Sequence, residues 1–319
     1  MNLIITIITA ILLISCTAKA KQRETFQRNT PDQLKTLACD TMNIKYIVKM
    51  DMEEVKQIEH FMKLFAIYNQ KHSKETTLIY IARQFVGIPY VAHTLDKTDD
   101  ERLVITLKGM DCTTYVENVV AFAQCAFNNK TKWSDFLNAI KQVRYRGGKL
   151  SYENRLHYFD WWLEDNEKKG FVKEMNTLEF PFTATQTLKI NYMSENYLSY
   201  NMLRNHPERV KALKLLEDKT NGKVVRYIPT SALNDNTTLR KAIHNGDILG
   251  LVTNKKNLDT THLGIAIWHK DGLYLLNASS LKKNGSKVVE PTETLYQYLK
   301  ARPFNLGVRV GRIEQSTLY

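Results

Sequence analysis

The chain has 319 residues, of which 43% are hydrophobic and 10% aromatic, a composition that supports a packed core and excludes disorder as the main state. The 45 Lys and Arg residues against 33 Asp and Glu residues give a formal net charge of +12. These charges are spread along the chain, which favours a solvated surface over nucleic-acid binding. No internal repeat of the kind found in solenoids or propellers is present.

The N-terminal segment predicts export. Residues 3–14, LIITIITAILLI, form an uncharged apolar run that is shorter than the roughly 20 residues of a membrane-spanning helix. The sequence LISC at 13–16 resembles a bacterial lipobox, which would place a lipid on Cys16; the sequence AKA at 18–20 offers ordinary signal cleavage instead. We expect a periplasmic or envelope-anchored protein that contacts the membrane only through this lipid.

Four cysteines are present, and no two of them have the C-x-x-C spacing of a structural zinc site. If Cys16 carries lipid, three remain, so at least one thiol stays free in an oxidising compartment. Cys39 and Cys125 could form a disulfide or be small buried apolar residues. Cys112 is then the thiol that needs an explanation.

Apolar residues at helical spacing predict a helix over 52–68, a second helix capped by Ser73 and ended by the Gly-Ile-Pro at 87–89, and a third that begins near Cys112. Residues 131–165 also have a helical pattern, whereas 171–235 show none that can be assigned. Short apolar runs predict strands at 248–252, 263–268, 273–278 and 306–310. A helical first half followed by a strand-rich end is typical of an α+β fold.

The start of the third predicted helix has the features of a nucleophile site. Asp111 is a suitable N-cap, which places Cys112 in the first turn, where backbone N–H groups are unpaired and the helix dipole is positive. Such surroundings favour the nucleophilic thiolate. The same N–H groups could stabilise an oxyanion.

A predicted β-hairpin supplies a base for this thiol. If His269 and Gly272 pair across the two residues Lys270 and Asp271, the register places Gly264 opposite Asn277. His262 is then the diagonal neighbour of Asn277 on the same face, within hydrogen-bonding reach. A loop of odd length would destroy this arrangement. The sequence therefore predicts a Cys-His-Asn set, the arrangement of papain-like enzymes.

Several spaced motifs resemble the NlpC-type cysteine peptidases, and more narrowly their N-acetylmuramoyl-L-alanine amidase-like branch. The resemblance covers about residues 75 to 313 and is carried by FVGIPY at 85–90, MDCTTYVEN at 110–118, RYRGG at 144–148, YENRLHY at 152–158, GDI at 246–248, DTTHLGI at 259–265 and NASS at 277–280. One departure is that many relatives carry His at the position of Asn277.

The resemblance implies a papain-like core in a single catalytic domain over 51–319, after a signal peptide over 1–20 and a polar lead over 21–50, with an insertion around 171–235. It implies Cys112 as nucleophile, His262 as base and Asn277 as the third catalytic residue, with Tyr90 helping to bind the oxyanion. The implied reaction is hydrolysis of the amide between muramic acid and L-Ala in peptidoglycan, on intact or anhydro muropeptides. No cofactor or metal is expected, and the protein is expected to be a monomer.

Two alternatives remain open at this stage. One is cleavage of the γ-D-Glu–diamino-acid bond by the same chemistry, and the other is a non-catalytic lipoprotein that binds cell-wall sugar. Candidate substrate-binding residues are Arg155, His157, Tyr158 and Trp161, together with Asp111 beside the thiol. Arg144 and Arg146 could contact stem-peptide carboxylates or form surface ion pairs.

Overall fold

A computed structural model describes residues 52–316. The predicted signal peptide, the lipid site at Cys16 and the residue Cys39 lie outside the described residues. Cys125 is a free thiol inside the core and is fully buried, and burial raises the pKa of this thiol.

The first half of the described chain is helical, as predicted. Ser73 caps the second helix, since its hydroxyl accepts a hydrogen bond from the backbone N–H of Thr76 at 3.2 Å. The five main helices are α1 (Met52–Asn69), α2 (Lys74–Arg83), α3 (Cys112–Phe127), α4 (Trp133–Arg144) and α5 (Phe159–Lys168).

The helical pattern at 131–165 corresponds to two helices, α4 and the first part of α5, with a break between them. Gly147 and Gly148 lie between them with φ values of +56° and +66°, a left-handed conformation that ends a helix and that glycine adopts without steric cost. Between α4 and α5 the chain forms two short 3₁₀ turns, Arg146–Gly148, which contains both glycines, and Tyr152–Asn154. This break carries three of the candidate substrate-binding residues, Arg155, His157 and Tyr158.

Residues 171–235, which had no assignable pattern, contribute strands to the central sheet as well as a group of helices. The first strand of this part, β1, pairs directly with the last strand of the sheet in the described chain. The strand β2 pairs with β3, and β3 pairs with that same last strand. The elements of this part and the helix that follows are β1 (Val172–Met175), β2 (Ala184–Thr187), α6 (Tyr192–Glu195), α7 (Asn201–Arg204), α8 (Pro207–Thr220), β3 (Val224–Pro229) and α9 (Asn236–Ala242).

The predicted strands at the end of the chain are all present, several of them longer than the apolar run that predicted them. They are β4 (Ile248–Thr253), β5 (Thr260–Trp268), β6 (Leu273–Ala278) and β8 (Asn305–Ile313), joined by β7 (Val288–Val289) and by helix α10 (Leu295–Lys300). The sheet has the order β2-β3-β8-β4-β5-β6-β7, with β1 also pairing with β8. All strand pairs are antiparallel, and the α+β prediction is confirmed.

Hydrophobic clusters lie on both faces of the sheet because successive side chains of a strand alternate between faces. On β5, Ile265 and Ile267 pack into the cluster formed with α1 to α5. Ala266 between them packs into the second cluster, with Leu275 of β6 and Leu295 of α10. Within residues 52–316, no helix is both long enough and apolar enough to cross a membrane.

Candidate active site

The first turn of α3 is fixed by a capping box, as the sequence predicted. The carboxylate of Asp111 accepts a hydrogen bond from the backbone N–H of Thr114 at 2.8 Å, and the Thr114 hydroxyl accepts one from the Asp111 N–H at 2.9 Å. These reciprocal bonds hold the chain on either side of Cys112. The Cys112 thiol is half-buried in the first turn of the helix.

Backbone contacts between β7 and the segment that contains Tyr90 position the start of α3 at one end of the sheet. The N–H of Val288 in β7 donates to Ile88 O at 2.8 Å, and the N–H of Tyr90 donates to Ser286 O at 2.8 Å. Tyr90 in turn forms a bridge with Met110. Because Met110 immediately precedes the helix cap, Tyr90 and Cys112 lie near the same end of the sheet.

The hairpin of β5 and β6 has the predicted register. Ile265 pairs with Leu276, and the N–H of His269 donates to Gly272 O at 3.0 Å, so that Gly264 lies opposite Asn277. His262 and Asn277 therefore meet as diagonal neighbours on one face of the hairpin.

The imidazole of His262 is oriented by the amide of Asn277. His262 Nε2 and Asn277 Oδ1 are 2.9 Å apart, and the amide nitrogen of Asn277 donates to Leu275 O at 2.7 Å. That second bond fixes the amide so that its oxygen faces the ring, which then carries its proton on Nε2. Nδ1 is left for the thiol.

The pKa of His262 is influenced by the Cys112 side chain beside it. Burial acts to lower the pKa of His262, but the negative charge of the Cys112 thiolate and the hydrogen bonds with Cys112 and Asn277 outweigh it, so the pKa is raised above its ordinary value. The surroundings thus favour the protonated, imidazolium form of His262.

Tyr90 is a hydrogen-bond donor at this site. Burial, followed by the nearby charges of Cys112 and Asp111, raises the pKa of Tyr90 to about 12. The phenol is therefore protonated at neutral pH and can donate its O–H to an oxygen that gains negative charge.

Cys112 and His262 open into a cleft of about 120 Å³. One wall is the segment that precedes and begins α5, and the other is the start of β5. The residues that line it are Cys112, Thr113, Leu156, His157, Tyr158, Phe159, Trp162, Leu258, Asp259, Thr260, Thr261, His262 and Leu263. Across residues 52–316, no group of three or more His, Cys, Asp or Glu side chains is arranged to hold a metal ion.

His157 lines the cleft in a fixed tautomer. Its Nε2 lies 2.8 Å from Tyr152 O, which makes this nitrogen the donor. Burial, and then the positive charge of Arg155, lowers the pKa of His157 to about 3. The ring is therefore neutral across the physiological range, and its Nδ1 is a hydrogen-bond acceptor.

Tyr158 also lines the cleft, but its hydroxyl is already engaged. The hydroxyl donates to the Glu217 carboxylate at 2.6 Å and accepts from the Met193 N–H at 3.0 Å. Only the ring of Tyr158 is thus available to a ligand. These contacts also tie the cleft wall to helices α6 and α8.

Arg155 and Trp161 do not line the cleft. The guanidinium of Arg155 is buried and donates to Asp96 at 2.6 Å and to Glu101 at 3.1 Å. The indole N–H of Trp161, also a buried residue, donates to the Thr220 hydroxyl at 2.8 Å. Their predicted contact with substrate does not fit this placement, because both polar groups already have partners within the protein.

Arg144 is placed neither to contact a stem-peptide carboxylate nor to form a surface ion pair, the two roles expected from the sequence. It is buried, and its Nε donates to the Glu117 carboxylate at 2.6 Å while a terminal nitrogen donates to Val104 O at 2.6 Å. This is an internal ion pair between α4 and α3. Arg146 lies over the Trp161 ring, with its guanidinium carbon 5.3 Å from the ring centroid.

Asp259 is a structural residue of the cleft that sequence reasoning did not single out. Its carboxylate accepts from the backbone N–H of Asp160 at 2.8 Å and of Thr260 at 2.7 Å. The bond to Asp160 joins the start of α5 to the start of β5 and so holds the two cleft walls together. Because Asp160 and Asp259 are far apart in the chain, no local sequence pattern predicts the contact between them.

The fold and the site together define an α+β protein with a thiol and an imidazole in one cleft and a buried amide that contacts the imidazole. A family model described as N-acetylmuramoyl-L-alanine amidase-like matches residues 80–308. The chain belongs to this family.

Solved structures agree with this assignment. The chain is 35% identical to an N-acetylmuramoyl-L-alanine amidase from Bacteroides uniformis, with a TM-score of 0.70 over 76% of this chain and 100% of that one. It is 38% identical to a proposed xylanase from Bacteroides fragilis, with a TM-score of 0.68 over 73% of this chain and 100% of that one. A Legionella pneumophila protein at 23% identity shares the fold, with a TM-score of 0.61 over 83% of this chain and 98% of that one. No similar sequence was found among curated proteins.

Proposed function

We propose that the protein is a cell-wall amidase that hydrolyses the bond between N-acetylmuramic acid and L-Ala of the peptidoglycan stem peptide, acting on muropeptide fragments. The family and the name of the Bacteroides uniformis relative support the reaction. The observation that carries the mechanism is the convergence of Cys112, His262 and Asn277: the thiol begins a helix at the cleft, and the imidazole is oriented by the amide at 2.9 Å.

In the first half of the reaction the Cys112 thiolate attacks the lactyl carbonyl carbon. The oxyanion lies near the unpaired N–H groups of the first turn of α3 and the Tyr90 hydroxyl. The carbon–nitrogen bond then breaks, and the nitrogen of L-Ala takes the proton from the His262 imidazolium. The stem peptide leaves with a free amine, and the muramyl lactyl group stays on Cys112 as a thioester.

In the second half water attacks the thioester carbon and gives a proton to the neutral His262. The carbon–sulfur bond breaks, which releases the lactyl carboxylic acid and restores the Cys112 thiolate beside an imidazolium; the acid then loses its proton to solvent. Asn277 keeps the ring in one orientation through both steps. This chemistry requires no metal or cofactor.

The same arrangement supports placing the chain among the NlpC-type cysteine peptidases with a papain-like core. A thiol at a helix start, a histidine on the packed sheet and an amide that orients it have the same roles there.

We also propose that the protein acts as a monomer in the cell envelope, where peptidoglycan is found, and that Cys16 carries its lipid anchor.

A glycosidase function is not favoured by the cleft. Glycoside hydrolysis generally uses two carboxylates about 5 to 9.5 Å apart. Among the residues that line the cleft in the described chain, the only carboxylate is that of Asp259. Both of its oxygens already accept backbone N–H bonds.

The test of the nucleophile is a comparison of two cysteine variants. We expect Cys112→Ser to reduce the release of free amine from muropeptides by at least about 1000-fold, because the thiolate is lost. The matched control is Cys125→Ala, which removes the core thiol and should retain most of the activity. Equal activity in Cys112→Ser and the wild type would contradict the mechanism.

A further inference from the structure

A second concave site lies at the far end of β5 from the catalytic residues. This distal groove has a volume of about 280 Å³ and lies between α1, α2 and the end of β5. The residues that matter for its chemistry are Tyr68, Glu75, Tyr80, Arg83, Asn245 and Trp268. His262 and Trp268 are six positions apart on one strand, which corresponds to about 20 Å.

The charged groups of the distal groove already have polar partners within the protein. Both Nε and a terminal nitrogen of Arg83 donate to Glu290 at 3.0 Å. Glu75 lies 3.1 Å from the ring of His244. A charged ligand would have to break these pairs, so the groove suits an uncharged one.

Uncharged polar groups in the distal groove are available instead. Among the described residues, the hydroxyls of Tyr68 and Tyr80 have no hydrogen-bond partner. The side-chain oxygen of Asn245 accepts from the backbone N–H of Trp268 at 2.7 Å, which fixes this amide and leaves its nitrogen to donate to a ligand. Two hydroxyls and an amide N–H match the hydroxyl and acetamido groups of a sugar.

The aromatic rings of the distal groove are held in place before any ligand arrives. Tyr68 is stacked between His72 and Tyr80, with centroid distances of 3.9 and 4.0 Å. Arg240 lies 4.1 Å over the Trp268 ring, whose N–H donates to Ile243 O at 2.9 Å. Because the stacking holds the rings of Tyr68 and Tyr80, their hydroxyls are positioned before binding, which lowers the entropic cost of binding a ligand.

We propose that the distal groove binds an uncharged glycan strand built of N-acetylated hexosamines. Its identity as cell-wall glycan rests on the proposed function, whereas the groove's preference for a neutral amino sugar rests on its own residues. Binding there would hold the protein on the glycan while the catalytic cleft takes a stem peptide. The two sites would thus act on different parts of one polymer.

The experiment measures binding of chitotetraose, a tetramer of β-1,4-linked N-acetylglucosamine, to the full chain by calorimetry. This probe has no stem peptide and so offers the thiol no amide of the proposed kind. We expect Tyr68→Phe/Tyr80→Phe to weaken binding by about tenfold, since two hydroxyl hydrogen bonds are lost. Asn245→Asp, which keeps the acceptor for Trp268, should weaken it too. The matched control is Tyr192→Phe/Tyr197→Phe, on exposed residues elsewhere.

Three outcomes would overturn this inference: no binding by the wild type, equal affinity in the distal-groove variants, or loss of binding when Cys112 is alkylated, which would assign the sugar to the catalytic cleft. Hydrolysis of small muropeptides is expected to be unchanged in Tyr68→Phe/Tyr80→Phe. An inactive amidase that still binds chitotetraose through these tyrosines would contradict the proposed function and leave the glycan site intact.

Discussion

Asn277 determines which nitrogen of His262 faces the thiol. Its oxygen lies 2.9 Å from Nε2, and its own N–H donates to the backbone, so neither group can rotate without losing a hydrogen bond. An unpaired buried amide or imidazole would cost free energy, which keeps the pair together.

This pair makes a prediction for pH dependence. The first half-reaction needs the imidazolium, so kcat/KM should fall as pH rises through the raised pKa of His262. Asn277→Ala removes a hydrogen bond that raises this pKa, and the alkaline limb should move to lower pH, with a rate loss of about 10- to 100-fold from misorientation. Asn277→Asp adds a negative charge and should move the limb to higher pH. Identical limbs in the three proteins would show that His262 is not the titrating acid.

Sequence could predict the residues of this triad but not those of the cleft walls. Cys112, His262 and Asn277 follow from local patterns, a helix cap and the register of a short hairpin. The positions of Arg155 and Trp161 outside the cleft lining could not be predicted, because their partners, such as Glu101 and Thr220, come from distant segments of the chain. Burial of a polar group depends on the whole packing, so its partners can be read only from the structure.

The capping box of α3 positions Cys112, the proposed nucleophile. Asp111→Ala removes the side-chain cap and should lower the free energy of unfolding by about 1 kcal/mol. Because the cap also holds the turn that contains Cys112, kcat should fall as well. Chemical denaturation and a muropeptide assay measure the two effects separately.

The matched control for this variant is Ser73→Ala, which removes the cap of α2 away from the thiol. It should cost a similar free energy of unfolding and leave kcat unchanged. If Asp111→Ala and Ser73→Ala had the same kcat, the cap of α3 would have only a structural role.

The ion pair of Glu117 and Arg144 joins α3 to α4 inside the core. Both side chains are almost fully buried, and the pair is 2.6 Å apart. Glu117→Ala leaves the Arg144 charge buried without its partner, so we expect a loss of about 3 to 5 kcal/mol in the free energy of unfolding. The double variant Glu117→Leu/Arg144→Met removes both charges and should recover most of it. A loss in Glu117→Ala below about 1 kcal/mol would mean that the pair contributes little.

The α+β class of the whole molecule follows from a helical pattern in the first half of the sequence and strand patterns near its end. The number of strands in the sheet could not be predicted in the same way. Strands β4, β5, β6 and β8 have clear apolar runs, whereas β1 and β2 are short and half polar. Their pairing with β8 and β3 comes from tertiary context. Sheet strands from residues 172–229 and 248–313 thus share one layer, and the cleft forms where this sheet meets the helices.

The proposed amidase activity of the cleft is tested by mass spectrometry of products after the protein is incubated, under reducing conditions, with purified ordinary and anhydro muropeptides. If the cleft cuts the bond between muramic acid and L-Ala, we expect free disaccharide and an intact stem peptide that begins with L-Ala. A disaccharide that still carries L-Ala-D-Glu would show cleavage at the γ-D-Glu bond instead. No cleavage with the Cys112 thiol intact would indicate binding without catalysis, and either of these two results would contradict the proposed function.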